Sequence, residues 1–269
     1  YGDHRDLHLS IRRQRQMCIR DRCNTVTGTV EGTALGVVKD VKTIHHYSTC
    51  VFTDTECGDL NLKDIFITHH HFHQTAGVPE LENIISGSIY GPKNSYELIN
   101  EKVTQGDTLS SLGIKFEIIE VPGHTLDHIA FYNEENNILF CGDTLFAGGC
   151  GRVFEGTFDQ MFESLNKLKQ LPDSTQIYCG HEYTKSNLLF SVEVEPKNND
   201  LIMRNTEIDN LLTEHGSSLP SSIGLEKKTN PFLRCDVLSD NMHLIKKIGL
   251  NNPSEKEIFK YIREWKDSK

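Results

Sequence analysis

Short apolar runs that end on polar, ligand-type residues recur along this chain. Residues 64–67 (DIFI) run into Thr68-His69-His70-His71-Phe72-His73-Gln74. Residues 115–121 (KFEIIEV) lead into Pro122-Gly123-His124-Thr125, and residues 137–141 (NILFC) into Gly142-Asp143-Thr144. Residues 176–179 (QIYC) lead into Gly180-His181-Glu182. Their length and β-prone composition predict four strands. The four strand ends deliver His, His, Asp and His at the same relative position, which is how α/β folds gather a site at one sheet edge.

The period changes between and after these runs. Thr157-x-x-Gln160 is a capping box that opens a helix with Phe158, Met161, Phe162, Leu165 and Leu168 on one face, stopped by Leu171-Pro172. After His181 the strand signals vanish. Residues 198–215 read as a helix with Leu201, Ile202, Ile208, Leu211 and Leu212 inward and Gly216 as its stop. Ser254-x-x-Glu257 is a second capping box, before a helix with Ile258, Ile262 and Trp265 on one face. The pattern therefore predicts an α/β domain over residues 23–185 and a helical domain over 186–269. Residues 24–60 carry only short β-prone pieces (25–30 and 47–53) and no recognisable chemistry. Residues 1–22 are Arg-rich without apolar periodicity; they are expected to be an expression scar or a translated non-native extension, and a transit peptide is the weaker alternative.

Composition narrows the function classes. Of 269 residues, 37% are hydrophobic and 25% charged, as in globular proteins. The formal charge is −10; six of the 28 basic and three of the 38 acidic residues fall in 1–22, so the body carries 22 against 35. Such an acidic body argues against nucleic-acid binding, and an anionic substrate would need a local basic patch. The eight cysteines form no C-x-x-C pair, and a reducing cytoplasm is the expected compartment. No apolar run reaches membrane-spanning length, so no membrane partner is expected.

Catalytic zinc takes His nitrogens and carboxylate oxygens and keeps a position open for water. His69 and His71, spaced i, i+2 on a loop leaving a strand, can converge on one ion with His124. Asp143 can bridge to a second ion, which His181 can ligate. Two ions about 3.5–4 Å apart can share a hydroxide that attacks a carbonyl while the metals hold the developing oxyanion. Each motif alone is an ordinary turn; all four in order, each after a strand, point to metal. His4, His8, His45, His46, His215 and His243 lack such a context and are expected to be surface residues.

The 68–74 segment resembles the T-H-x-H-x-D-H signature of the metallo-β-lactamase superfamily. Within it, residues 141–146 (CGDTLF), 149–152 (GCGR), 154–156 (FEG), 178–184 (YCGHEYT) and 229–234 (TNPFLR) are similar to glyoxalase II, the hydroxyacylglutathione hydrolases. The likeness covers roughly 61–269. It implies an αββα sandwich with a C-terminal helical domain. It also implies a monomeric enzyme of methylglyoxal detoxification that hydrolyses S-D-lactoylglutathione, a small-molecule thioester, to D-lactate and glutathione. The expected cofactor is a two-ion Zn site, with Fe or Mn as alternatives, and Asp143 is the bridging ligand that holds the nucleophile. By motif, Arg152 after G-C-G, Tyr183 of G-H-E-Y-T, and Arg263 and Lys266 of a terminal R-x-x-K are expected to bind glutathione. Arg263 and Lys266, at i, i+3, share a helical face. Phe154 stands where the family often has Tyr, so one hydroxyl contact is expected to be missing.

Two departures bear on function. Residues 24–60 lack the family's usual opening hairpin, which points to a frameshifted or chimeric segment or to divergence. The metal signature has His73 for Asp and Gln74 for His. A neutral amide oxygen is a weak donor to zinc. The expectation is a full first site from His69, His71, His124 and Asp143, and a weakened second one from Asp143, His181 and perhaps His73. His70 is read as a spacer. The competing readings are a persulfide dioxygenase-like mono-iron enzyme and an impaired paralogue that binds glutathione conjugates without turnover.

Overall fold

In this computed structural model, residues 35–269 are described, except 39–40, 47–48, 57–58, 83–84, 94–95, 216 and 250. For residues 35–62 and for 80, 215 and 243 only the backbone is described. The expected extension at 1–22 and the β-prone piece 25–30 lie outside the described residues, as do the side chains of His4, His8, His45, His46, His215 and His243.

Fourteen strands appear among the described residues. The first sheet holds, in spatial order, β1 (Leu35–Val38), β2 (Val41–His46), β3 (Thr49–Glu56), β4 (Asp59–Ile67), β5 (Ile89–Pro92) and β6 (Glu101–Val103). It is antiparallel up to β4, then parallel. The second holds β7 (Thr108–Ser111), β8 (Ile114–Glu120), β9 (Ile129–Asn133), β10 (Ile138–Gly142), β13 (Gln176–Cys179) and β14 (Ser221–Ser222), in that order. A two-stranded ribbon, β11 (Leu145–Phe146) with β12 (Gly149–Cys150), stands apart.

The layers follow from alternation along each strand. Phe66 of β4 faces Phe116, Ile118, Phe131, Phe140 and Tyr178 of the second sheet, forming the inter-sheet core. Its neighbours Ile65 and Ile67 point the other way, onto Val78, Ile89 and Ile99. In the second sheet Ala130, Tyr132, Leu139, Cys141, Ile177 and Cys179 face outward onto helices. The Phe66 ring stacks on Phe131 at 4.8 Å and meets Phe116 edge-on at 5.2 Å. Truncating a buried ring of this kind costs about 3–5 kcal/mol.

The helices that cover the second sheet start where the sequence says. The helix Phe158–Lys169 has both arms of its capping box, with Gln160 N–H donating to Thr157 Oγ1 (3.1 Å) and Thr157 N–H to Gln160 Oε1 (2.9 Å). Ser254 and Glu257 do the same for the helix Glu255–Asp267. Two further helices, Thr184–Val194 and Asn199–His215, follow β13. Strand structure does not end at His181: β14 pairs antiparallel with β13, Ile177 opposite Ser221. Phe190, Phe232, Phe259 and Ile262 of the C-terminal segment pack in the same core as Leu145, Met161 and Ile177. Cys141, Cys150, Cys179 and Cys235 are free and buried, and burial pushes the Cys179 thiol up to about 12. Among the described residues no helix is long and apolar enough to cross a membrane.

Candidate metal centre

Four chain segments that leave strands at one edge of the sandwich bring His69, His71, His73, His124, Asp143 and His181 together. β4 ends at Ile67, so the backbone carries His69 and His71 straight off the sheet. β8 ends at Glu120 and is followed by His124; β10 ends at Gly142, directly before Asp143; β13 ends two residues before His181. Asp143 sits at the middle. Its Oδ2 lies 3.2 Å from His181 Nε2, 3.4 Å from His124 Nε2, 3.8 Å from His73 Nε2 and 3.9 Å from His69 Nε2. Gly142 has φ +50°, and a Cβ there would strike Thr68 Oγ1 and the His128 ring. Only glycine lets the strand deliver Asp143 in this position.

The electrostatics suit a cation. Burial pulls His69 well below the ordinary imidazole value, with neighbouring His128 adding to it. Burial likewise lowers His124 and His71. These rings are therefore neutral at physiological pH and present lone pairs without a deprotonation cost. Burial alone would raise Asp143, yet the His181 and His73 imidazoles bonded to it hold its carboxyl well below the usual range. His124 Nδ1 bonds to the Arg152 carbonyl at 2.7 Å, which leaves Nε2 as the free lone pair. That Nε2 lies only 3.0 Å from His71 Nδ1.

The donor set fits a metal by a test independent of the motif. His69 Nε2 is buried and has no hydrogen-bond partner. Such an orphan costs about 1–3 kcal/mol, which a metal bond removes. Ligand atoms of His69, His124 and Asp143 lie within 4.8 Å of one another, as do those of His69, His71 and His73 and those of His73, Asp143 and His181. His69, His71, His124 and Asp143 can hold one ion; His73, Asp143 and His181 can hold another. The second group is the looser one. The His73 side chain is 54% exposed. Gln74 is buried, with Nε2 3.3 Å from both Asp143 Oδ2 and His181 Nε2, so it turns a donor toward two ligand atoms.

Several supporting residues were not singled out from the sequence. His128 is fully buried, stacks on His69 at 4.5 Å, and accepts a bond from the Asp143 N–H at Nε2 (3.1 Å). Its Nδ1 bonds to the Ile129 carbonyl, and burial drives its pKa down to about 3, so it stays neutral. Its i, i+4 spacing from His124 was the available cue. His70 is not a spacer. Its Nε2 lies 2.9 Å from Glu155 Oε1 and its Nδ1 3.4 Å from Asp127 Oδ1. Glu155 also accepts from Leu126 N–H, so three ligand-bearing loops are tied together.

Beside the His181 edge lies a cavity of ≈ 310 Å³ whose lining includes Phe146, Arg152, Tyr183, Asn187, Arg263 and Lys266. Tyr183 stacks flat on His181 at 4.8 Å and meets Phe146 edge-on at 5.5 Å, joining cavity to cluster. Arg263 is only 4% exposed and lies over the Phe232 ring, 5.2 Å from its centroid. Its Nη1 donates to the Cys150 carbonyl and its Nη2 to Asp267, while its Nε has no partner. Arg152 Nε also donates to Asp267. Lys266 Nζ bonds to Asn187, and burial together with the Arg263 charge pulls its pKa down to about 8. Phe154, 60% exposed, sits edge-on against His71 and His124, over the metal cluster, with the Arg152 guanidinium 5.9 Å from its ring centroid.

Two family models match this chain. Residues 45–181 match the metallo-beta-lactamase superfamily model, and residues 182–269 match the model for the hydroxyacylglutathione hydrolase C-terminus. The first match reaches back to residue 45, earlier than the likeness legible by eye near 61. The hydroxyacylglutathione hydrolase of Pseudomonas savastanoi pv. phaseolicola is 46% identical over 216 residues, covering 79% of this chain and 83% of its own. That of Psychromonas ingrahamii is 44% identical over 230 residues, covering 81% and 86%. Among solved structures, ETHE1 from Myxococcus xanthus shares the fold, with TM-score 0.52 and 22% identity over 82% of this chain and 92% of its own. The superfamily match and the His/Asp clusters together mark a metal-binding chain. Sheet layers, metal cluster and C-terminal helices converge on one conclusion: the chain belongs to the hydroxyacylglutathione hydrolase family, within the metallo-beta-lactamase superfamily.

Proposed function

We propose that this chain hydrolyses S-(2-hydroxyacyl)glutathione, with S-D-lactoylglutathione as substrate and D-lactate and glutathione as products. The observation that carries the reading is the junction of two sites. An open cavity lined by Arg152, Arg263 and Lys266 meets a His/Asp cluster through Tyr183 stacked on His181. Relatives named hydroxyacylglutathione hydrolase support the same chemistry. Zinc is the proposed metal, since imidazole and carboxylate donors suit it. Metal held there supplies an activated water and a Lewis-acid partner for the thioester carbonyl.

The chain's own groups do the rest. His69, His71 and His124 offer neutral imidazoles, and Asp143 supplies the negative charge that offsets the cation. Arg152 contacts glutathione, and Arg263 and Lys266 form the cationic patch for its glycine carboxylate, which their common place in the cavity lining supports. Tyr183 fixes the tripeptide against His181. Phe154, held over His71 and His124, shields the acyl side from water rather than contacting glutathione through a hydroxyl. The leaving group is a thiolate, so no strong general acid is needed. We place the functional division near residue 185, with the metal cluster before it and most of the glutathione contacts after it. We also assign the chain to the cytoplasm and propose a monomer as its working state.

The test is metal stoichiometry measured alongside S-D-lactoylglutathione hydrolysis. Turnover that scales with zinc content is expected, with one tightly held ion per chain. A metal-loaded protein that binds this thioester without hydrolysing it would sink the reading. The cavity also sets a pH dependence. Lys266, depressed to about 8, loses its charge as pH rises through that value. KM is expected to climb above pH 8 while kcat changes little, because the lost charge serves binding. A KM that stays flat from pH 7 to 9 would remove Lys266 from the carboxylate site.

A further inference from the structure

The ribbon between the metal cluster and the cavity is held almost entirely by the C-terminal segment. It begins two residues after Asp143, presents Phe146 and Cys150 to the cavity, and is followed by Arg152. Its backbone groups find their partners far along the chain. The Phe146 and Gly149 carbonyls accept from Asn230 Nδ2, at 3.2 and 2.9 Å. The Ala147 carbonyl accepts from Asn187 Nδ2 at 3.0 Å, and the Gly148 carbonyl from Ser191 Oγ at 2.9 Å. The Cys150 carbonyl accepts from Arg263. The one ribbon N–H in this set, that of Gly148, donates to Glu226 Oε2 at 2.8 Å.

Glu226 is 0% exposed and stands at the centre of the arrangement. Its Oε2 also accepts from Asn230 Nδ2 (2.9 Å), and its Oε1 accepts from Arg204 Nη2 (2.7 Å) and Ser221 Oγ. It therefore orients both the ribbon's N–H and the amide that holds two ribbon carbonyls. The ribbon's glycines let this happen. Gly148 has φ +69°, and a Cβ on Gly149 would lie 2.7 Å from the Asn187 side chain. At Gly148 and Gly149 no ribbon side chain intervenes, so polar groups of the C-terminal segment reach the ribbon backbone directly.

We propose that Glu226 is a positioning residue for substrate binding: from the helical segment it fixes the ribbon that shapes the glutathione cavity. The inference rests on the functional reading above and adds a residue that touches neither metal nor substrate. In Glu226→Gln the amide NH2 must face one of the two donor pairs. Arg204 carries a full positive charge, so the NH2 turns toward Gly148 and Asn230 and releases the ribbon.

The experiment compares wild type and E226Q, both metal-loaded, by melting temperature, metal content, KM and kcat, and titration with glutathione. Expected are wild-type metal content, kcat within about twofold, and a KM and glutathione Kd raised about tenfold, the size of one lost charge-assisted hydrogen bond. An unchanged KM and Kd beside a lower melting temperature would make Glu226 a fold strut and overturn the proposal. If E226Q does not fold, Ser191→Ala, which frees the Gly148 carbonyl and the Asn187 carbonyl of its own helix, must raise KM with kcat retained; no rise overturns it. If wild type itself binds no glutathione, the functional reading fails and this inference with it.

Discussion

The double variant His73→Asp, Gln74→His is expected to raise the tightly held metal from one ion per chain to two, and kcat/KM with it. In the native chain the second group has only Asp143 and His181 as close partners, with His73 half in solvent and Nε2 3.8 Å from Asp143. Gln74 occupies the position where an imidazole lone pair would face the ion, and offers an amide N–H instead. An aspartate at 73 adds a compact negative ligand, and a histidine at 74 adds a nitrogen donor of the type zinc prefers. A second ion held there would add to the activation of water and to the polarisation of the thioester carbonyl oxygen. Supporting changes around metal sites move affinity by about 10–100-fold, so two direct ligands should exceed that range. Plasma emission on dialysed protein and initial rates give the answer. Two tightly bound ions in the native chain, or no gain in either quantity, would overturn the account of positions 73 and 74.

The largest loss is expected at Asp143. Asp143→Asn keeps the volume but removes the one carboxylate that four imidazoles face within 4 Å. Burial would raise its pKa, but His181 and His73 hold the carboxyl well below the usual range. Without it a divalent cation enters a buried pocket with neutral donors alone, which is costly. Metal affinity should fall by more than about 100-fold, beyond the range for indirect partners, and hydrolysis should drop to near background. Glutathione titration should be little changed, because Arg152, Arg263 and Lys266 remain. A D143N protein that retains its metal through dialysis would refute the central role given to this carboxylate.

Most of the metal cluster was legible in the sequence because its chemistry sits on strand ends. A run such as residues 176–179 announces a buried strand by composition, and the His or Asp that follows is then forced to one edge. The observed strands shift by a residue at most places; β4 extends back to Asp59, where polar residues hide the pattern. β14 was missed because two serines have no period to read. His128 and Glu155 were missed for a different reason: their roles exist only through contacts across loops. Glu226 shows the limit most plainly. It lies among charged neighbours on a short helix, where a solvated face is the natural reading, yet it is buried. Arg263 was expected beside glutathione by its motif, but its burial over Phe232 was not legible. Both burials come from packing of the C-terminal segment against the ribbon and against Phe232, which no local pattern encodes.

β14 ties the helical segment to the sheet as well as to the cavity. Ser221 and Ser222 pair with β13, the strand that leads to His181. They cover part of a sheet margin whose open backbone would invite pairing with other chains. Removing the segment would therefore bare the β13 margin and strip the cavity of Arg263 and Lys266 in one step.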